Sequence, residues 1–351
     1  MTKARHARGP LRIVGDLRRC ARQFSLATVA ATSGQAGAST VERDPAIGGV
    51  AGGLPLYIAA VELLRDPSLL RVLAELGVDA GALLGYGGEA CVFAYGGEQV
   101  VRIHHAEADG AAVAARSALL SELRPHHGRL SFGIPHVCEL RVIAERFVTF
   151  EPRLRGQTLA RALREVRGAG RRELLVSTLE ASRALRQLPL SRQWFGDLCQ
   201  VPPVRAPSWK EYLRQRARSS LAAAGDAFAG VDVEVLCLPF EEPATPGFVH
   251  LDLYAGNVLV DGGCVTAVLD FGGVPVFGDP DFDPLTVAVY LRGEMTDGTD
   301  ESDQTVCREW LEGAGLGDRL DAAERWVAAM WSFAVDDAKV QSWCRRVLLT
   351  G

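Results

Sequence analysis

The chain has 351 residues, 48% of them hydrophobic and 23% charged, with a formal net charge of −5; this suffices for one large domain or two lobes and leaves no global basic field to draw it to nucleic acid. No apolar run is long enough to cross a bilayer and no hydrophobic core of a secretory signal is visible, so the expectation is a cytoplasmic protein with no membrane partner. Eight cysteines stand singly, without a Cys-x-x-Cys pair or zinc-ligand spacing, and read as free thiols.

Residues 1–54 differ from the rest. The first 23 carry seven basic residues against one acid, Asp16, and residues 27–53 are rich in Gly, Ala, Ser and Thr. Such a composition buries too little apolar surface to fold and reads as a loosely ordered extension; a targeting segment or a nucleic-acid arm is the alternative. Between residues 54 and 76 apolar side chains recur at helical spacing, and Asp66-Pro67-Ser68 separates two helices, with Pro67 placed at a helix start. Residues 90–95 and 99–104 read as strands joined through Gly96-Gly97. A helix over 106–123 and a β segment over 141–150 follow. Beyond Gly156 the pattern is helical, over 158–166, 171–188, 209–224, 305–312 and 321–348. One β island interrupts it at 248–269, around the turn Asp261-Gly262-Gly263. The predicted layout is α+β and bilobal. A β-rich lobe spans residues 55–151 and a larger, mainly helical lobe spans 152–351.

The island carries the chemistry. His250-Leu251-Asp252 leads to Asn257, a hairpin follows, and Asp270-Phe271-Gly272 closes it. The pattern is H-x-D-x-x-x-x-N, then D-F-G. Transfer of a phosphoryl group asks a protein mainly for positioning and charge stabilisation. One carboxylate must orient the acceptor hydroxyl and take its proton, and Asp252 is the candidate. A second must hold the Mg²⁺ that bridges phosphate oxygens, and Asp270 fits, with Asn257 as an uncharged oxygen ligand. His250 reads as a residue that orients the loop by hydrogen bonds.

This segment resembles the aminoglycoside phosphotransferase and choline kinase family, small-molecule relatives of the protein kinases. Gly278-Asp279-Pro280-Asp281-Phe282-Asp283 matches the G-D-P-x-x-D stretch of that family. Leu251 stands where glycine is commoner, and Asp279 and Asp283 read as residues that cap and brace the next helix. The resemblance implies a bilobal protein-kinase-like fold and ATP or GTP as donor. It also assigns the nucleotide site. Leu84-Gly85-Tyr86-Gly87-Gly88-Glu89-Ala90 is similar to the kinase glycine-rich loop, with Gly85, Gly87 and Gly88 presenting backbone to phosphate. Unlike a dinucleotide fingerprint, it leads into a hairpin and not a helix. Arg102 occupies the place of the lysine that holds the α- and β-phosphates, facing opposite to Val101 and Ile103. The usual helix acid is missing where Arg116-Ser117 aligns, and Glu122 is the candidate substitute, the alternative being that the ion pair is absent. In the inter-lobe linker, backbone near Glu151 and Arg153 would bond adenine, and Phe150 would line the purine pocket.

The acceptor is not named by these motifs. Residues 279–303 hold eight acids against one base, Arg292. The run reads as a solvated loop, the alternative being an attraction for a cationic acceptor such as an aminoglycoside. Trp326, Trp331 and Trp343 read as core. The expectation is therefore an ATP- and Mg²⁺-dependent kinase acting on a hydroxyl of a small molecule, in antibiotic resistance or secondary metabolism. A metabolic kinase of the choline, homoserine or amino-sugar type, and a non-catalytic nucleotide-binding pseudokinase, are the alternatives.

Overall fold

The computed structural model describes residues 66–350. The predicted extension and the helix expected before Asp66 lie outside the described residues. Helix α1 (Pro67–Leu76) begins where the Asp66 carboxylate accepts the N–H groups of Ser68 at 3.0 Å and Leu69 at 3.2 Å, two of the donors a helix start leaves free. It ends at Gly77, whose φ of +64° side chains resist. Its inner face, Leu69, Val72 and Leu73, packs on a five-stranded antiparallel sheet. The strands are β1 (Leu83–Tyr86), β2 (Ala90–Tyr95), β3 (Gln99–His104), β4 (Glu139–Ile143) and β5 (Arg146–Pro152), in the order β1-β2-β3-β5-β4. The β segment expected at 141–150 is thus a hairpin, turned by Ala144 and Glu145 at φ +46° and +63°. Helix α2 (Gly110–Leu123) crosses between β3 and β4 in the chain. It starts later than expected because Asp109 caps it, accepting the Ala111 N–H at 2.8 Å.

Alternation decides what each sheet face does. Val101 and Ile103 of β3, with Val148 and Phe150 of β5, enter the core under α1. Arg102 pairs in register with Thr149, so Arg102, Thr149 and Glu151 share the opposite face.

The larger lobe contains β6 (Gln157–Thr158), α3 (Leu159–Glu165), α4 (Gly168–Ala184), β7 (Phe195–Asp197), β8 (Arg205–Ala206), α5 (Trp209–Ala223) and α6 (Val233–Cys237). It continues through β9 (Gly247–Val249), β10 (Val258–Asp261), β11 (Cys264–Val268), β12 (Val276–Gly278), α7 (Phe282–Tyr290), α8 (Glu301–Gly313), α9 (Leu320–Trp331) and α10 (Ala338–Leu349). Gly262 and Gly263, at φ +55° and +83°, make the tight β10–β11 turn. The helix expected at 321–348 is two, because Asp337 accepts the N–H groups of Lys339 and Val340 and so starts α10 afresh. Helix α8 begins four residues before the expected Thr305, started by a capping box between Asp300 and Asp303.

The core of this lobe is built around Trp209, Trp326, Trp331 and Trp343, all fully buried. Each such ring takes roughly 200 Å² out of water. Helix α2 ties the two lobes together, because Leu119, Leu120 and Leu123 join the large-lobe core while Arg116 reaches back to β5. Strand β11 adds a second tie, with Gly133 donating to Thr266 at 2.8 Å and accepting from Val268 at 3.0 Å.

Candidate active site

The loop between β9 and β10 carries Asp252 and Asn257, and the segment after β11 carries Asp270. Asn257 donates its side-chain amide to the Asp252 carbonyl at 2.9 Å and to Asp252 Oδ2 at 3.1 Å. Leu269 donates its N–H to the Asn257 carbonyl at 2.7 Å, which sets Asp270 immediately beside the asparagine. Asp252 is 2% exposed, and its Oδ1 is buried with no hydrogen-bond partner. Burial, and then the nearby Asp270 charge, push the Asp252 carboxyl well above the usual carboxylate range. A buried carboxylate oxygen without a partner is costly, so a binding group is the natural reason to keep one.

His250 holds the loop. Its Nε2 lies 2.9 Å from the Leu269 carbonyl, which can only accept, so Nε2 carries the proton. Nδ1 is then the acceptor for the Asp252 N–H at 3.3 Å. Burial lowers the imidazole to about 4, leaving it neutral at neutral pH. Phe271 stacks on Phe248 and meets the His250 ring edge-on at 4.8 Å.

Sequence reasoning missed the anchor of this loop. Asp283, on α7, accepts the His250 N–H with both oxygens at 2.9 and 3.0 Å and the Leu251 N–H at 2.9 Å. Tyr290, on the same helix, donates its hydroxyl to the Leu251 carbonyl at 2.8 Å and accepts from Trp331 Nε1 at 2.9 Å. Asp283 therefore braces the catalytic loop, a correction to its reading as a brace of the next helix. Asp279 accepts the Asp281 N–H and pairs with Arg319 across to the start of α9.

Leu251 sits at φ +60°, which explains why glycine suits this place. The left-handed backbone costs a leucine roughly 1–2 kcal/mol. Against that, the side chain is fully buried, and removing a buried leucine costs about 2–5 kcal/mol. The cavity outweighs the strain. Leu251→Gly is expected to lower stability by about 2 kcal/mol in urea unfolding; a raised midpoint would reverse that balance.

The small lobe contributes the rest. The glycine-rich hairpin turn is closed by Gly87 N–H donating to the Ala90 carbonyl at 3.0 Å, and His105 Nε2 holds the Gly87 carbonyl at 2.8 Å. Glu89, at its tip, reaches the D-F-G turn and accepts the Gly273 N–H at 3.0 Å. A Cβ on Gly272 would meet that carboxylate at 2.5 Å. Burial, and then the Asp270 charge, raise the Glu89 carboxyl. Arg102 lies 3.8 Å from both Asp270 Oδ1 and Glu151 Oε1. Glu89 of the glycine-rich loop and Arg102 of β3 thus both reach the D-F-G turn.

Three expectations need correction, and the Glu151 side chain takes a role the sequence reading did not give it. Glu122 does not serve Arg102; both its oxygens are held by Arg192, at 2.9 and 2.6 Å. Phe150 packs in the small-lobe core against Tyr95 and under Arg141, on the sheet face away from Arg102, so it does not line a purine pocket. The Arg153 N–H is already donated to the Glu98 carbonyl at 2.9 Å. The Glu151 side chain turns into the cleft-facing side of the sheet and pairs with Arg116.

The acidic run divides: Asp297, Asp300 and Glu301 are exposed, as a solvated loop requires, whereas Asp279, Asp283 and Asp303 are buried, and the acids have partners within the chain. Arg319 and Arg186 engage Asp279 and Asp281, Arg346 engages Glu294, and Lys339 engages Asp297. Asp300 caps α8, Arg308 holds Glu301, and Arg171 holds buried Asp303 at 2.5 Å.

Oxygen ligands in this number fit Mg²⁺, which uses one or two carboxylates plus substrate phosphates in preference to a full protein cage. Asp270 and Asn257 would hold it. Among the described residues no cluster of three or more His, Cys, Asp or Glu side chains is placed to hold a metal by itself, and no helix is long and apolar enough to span a membrane. All seven described cysteines are free thiols.

A family model described as the phosphotransferase enzyme family matches residues 85–326. Among solved structures, the gentamicin complex of APH(2″)-IIa aligns at 15% identity and a TM-score of 0.57, covering 82% of this chain and 96% of that one. The aminoglycoside phosphotransferase APH(3″)-Id from Streptomyces rimosus, with ADP and streptomycin, aligns at 18% identity and a TM-score of 0.51, covering 76% and 97%. The ADP-bound aminoglycoside phosphotransferase APH(2″)-Ib aligns at 14% identity and a TM-score of 0.51, covering 76% and 91%. These likenesses establish the bilobal fold. No curated sequence matches the chain closely enough to count as a relative.

Proposed function

The chain belongs to the phosphotransferase enzyme family, and from that premise we propose that it transfers the terminal phosphoryl group of ATP or GTP to a hydroxyl of a small molecule. The observation that carries this reading is the buried, unpartnered Asp252 Oδ1 beside Asn257, one loop away from Asp270. In this reading Asp252 orients the acceptor hydroxyl and takes its proton, as in-line phosphoryl transfer requires. Arg102 meets the nucleotide phosphates, and the backbone of Gly85, Gly87 and Gly88 covers them. Asp270 and Asn257 would hold Mg²⁺, which when bound would neutralise charge on the phosphate oxygens. His250, Asp283 and Tyr290 keep Asp252 at a fixed position, which is the larger part of what such a site contributes.

The acceptor class supported by the neighbours is an aminoglycoside, since the structures it resembles include complexes with gentamicin and streptomycin. The acids of residues 279–303 give that choice no added support, each being engaged within the chain. Release of ADP or GDP from the Mg²⁺ nucleotide is the measurement, with aminoglycosides, other hydroxylated antibiotics, choline, homoserine and amino sugars offered in turn. Acceptor-dependent release is expected. Absence of both acceptor-dependent release and Mg²⁺-dependent nucleotide binding would end the reading.

A further inference from the structure

The helix after β3 was expected to supply an acid for Arg102. The structure reverses the roles. Helix α2 supplies a cation, Arg116, and strand β5 supplies the acid, Glu151. Arg116 donates to both carboxylate oxygens, at 2.7 and 3.1 Å, and Thr149 donates its hydroxyl to Oε1 at 2.9 Å. The two paired side chains are 3% and 5% exposed, whereas Arg102 is 14% exposed. Burial alone would push the Glu151 carboxyl up, yet the guanidinium groups of Arg116 and Arg102 hold it at about 2.

The distances separate two kinds of contact. Arg116 and Glu151 form a bidentate, charge-assisted pair. Arg102 Nε stands 3.8 Å from the same Oε1, an ion-pair distance beyond hydrogen-bond reach. Its NH1 stands at 3.8 Å from Asp270 Oδ1. A carboxylate with no other partner would close on Arg102 in a fork of its own and compete with phosphate for the donors. With Arg116 and Thr149 already on its oxygens, Glu151 attracts Arg102 and leaves its N–H groups available.

We propose that Glu151 is a positioning residue that acts through Arg102, held by Arg116 and Thr149 so that the Arg102 guanidinium stands over Asp270 with its donors free for nucleotide phosphate. The inference rests on the phosphotransferase reading given above. In effect the acid partner of the phosphate-binding cation has moved from the helix to the strand, and the helix has taken a cation to fix it there.

A double-mutant cycle on nucleotide affinity tests it, using Arg102→Met, Glu151→Gln and both together, with the dissociation constant for ADP read in Mg²⁺ and melting temperature read separately. Glu151→Gln is expected to weaken ADP binding about tenfold with Arg102 present and less than about twofold with Arg102→Met. A merely structural Glu151 would lower the melting temperature and weaken binding by the same factor in both backgrounds, and that result would overturn the inference. Because Glu151→Gln leaves Arg116 charged and buried, Glu151→Asp is carried through the same cycle; it keeps the charge on Arg116 and draws it back from Arg102. Coupling to Arg102 is expected there too, and equal factors would overturn the proposal again. If the unsubstituted protein binds no ADP, the phosphotransferase reading falls and this inference with it; if it binds and the cycle is additive, only this inference falls.

Discussion

Asp252→Asn is expected to cut turnover by about 10³-fold, the usual size of a lost general base, while ADP affinity in Mg²⁺ stays within about twofold. The substitution is nearly isosteric. The Asn257 side-chain amide can still donate to the residue 252 carbonyl, and the residue 252 N–H still meets His250 Nδ1, so the loop keeps its shape. What disappears is the capacity of Oδ1, buried and without a partner, to orient a hydroxyl and take its proton. Among the described residues the Asp252 side chain hydrogen-bonds Asn257 and feels the glycine-rich turn only through the charge of Glu89, which is why binding of the nucleotide should survive. The decisive pair of measurements is kcat with a working acceptor and the ADP dissociation constant of the same preparation. Turnover near that of the unsubstituted protein would remove Asp252 from the role of base.

What could be read in advance, and what could not, follows from the range of the interactions. Asp252, Asn257 and Asp270 stand close in sequence on a loop and a hairpin, and the chemistry demands those residue types, so spacing alone places them together. The helix start at Asp66 is equally local, since a cap acts within three residues; the starts at Asp109 and Asp337 are as local, but apolar periodicity running past them hides them. The anchors of the site are not local. Arg116 and Glu151 are 35 residues apart, His250 and Asp283 are 33 apart, and Glu89 and Gly273 are 184 apart. Nothing in a charge count says which carboxylate meets which cation across such distances. Glu122 and Glu151 look alike in sequence, yet one is a partly exposed partner of Arg192 and the other is 4% exposed beside Arg116 and Arg102. Phe150 shows the same difficulty in a strand. The linker position suggested a purine contact, and the alternation of β5 turns that side chain into the small-lobe core. The acids of residues 279–303 read as a run, whereas their partners come from α4, from the turn before α9 and from α10, and become visible only once those elements pack.

Asp270→Asn should separate from Asp252→Asn by losing binding as well as turnover. Asp270 sits at φ +60°, a conformation that costs most side chains but that asparagine accepts readily, so the variant is expected to fold. Its carboxylate stands 3.8 Å from Arg102, and Leu269 immediately before it is bonded to Asn257, the two positions that would hold Mg²⁺ and meet phosphate. Replacing the carboxylate by an amide removes the charge a hard divalent cation prefers and leaves a weaker oxygen ligand. For the unsubstituted protein, ADP affinity should rise steeply as Mg²⁺ is added and fall when the metal is chelated. In Asp270→Asn that dependence should flatten, and turnover should drop by about 10³-fold, because the lost stabilisation acts on the charge of the transferred group. The residual affinity should reflect Arg102 and the glycine-rich turn, which need no metal. An unchanged Mg²⁺ dependence in the variant would place the metal away from Asp270 and, with it, away from Asn257. Since Asp252→Asn predicts the opposite pattern, intact Mg²⁺-dependent binding without turnover, the two variants together distinguish a base from a metal ligand at positions only 18 residues apart.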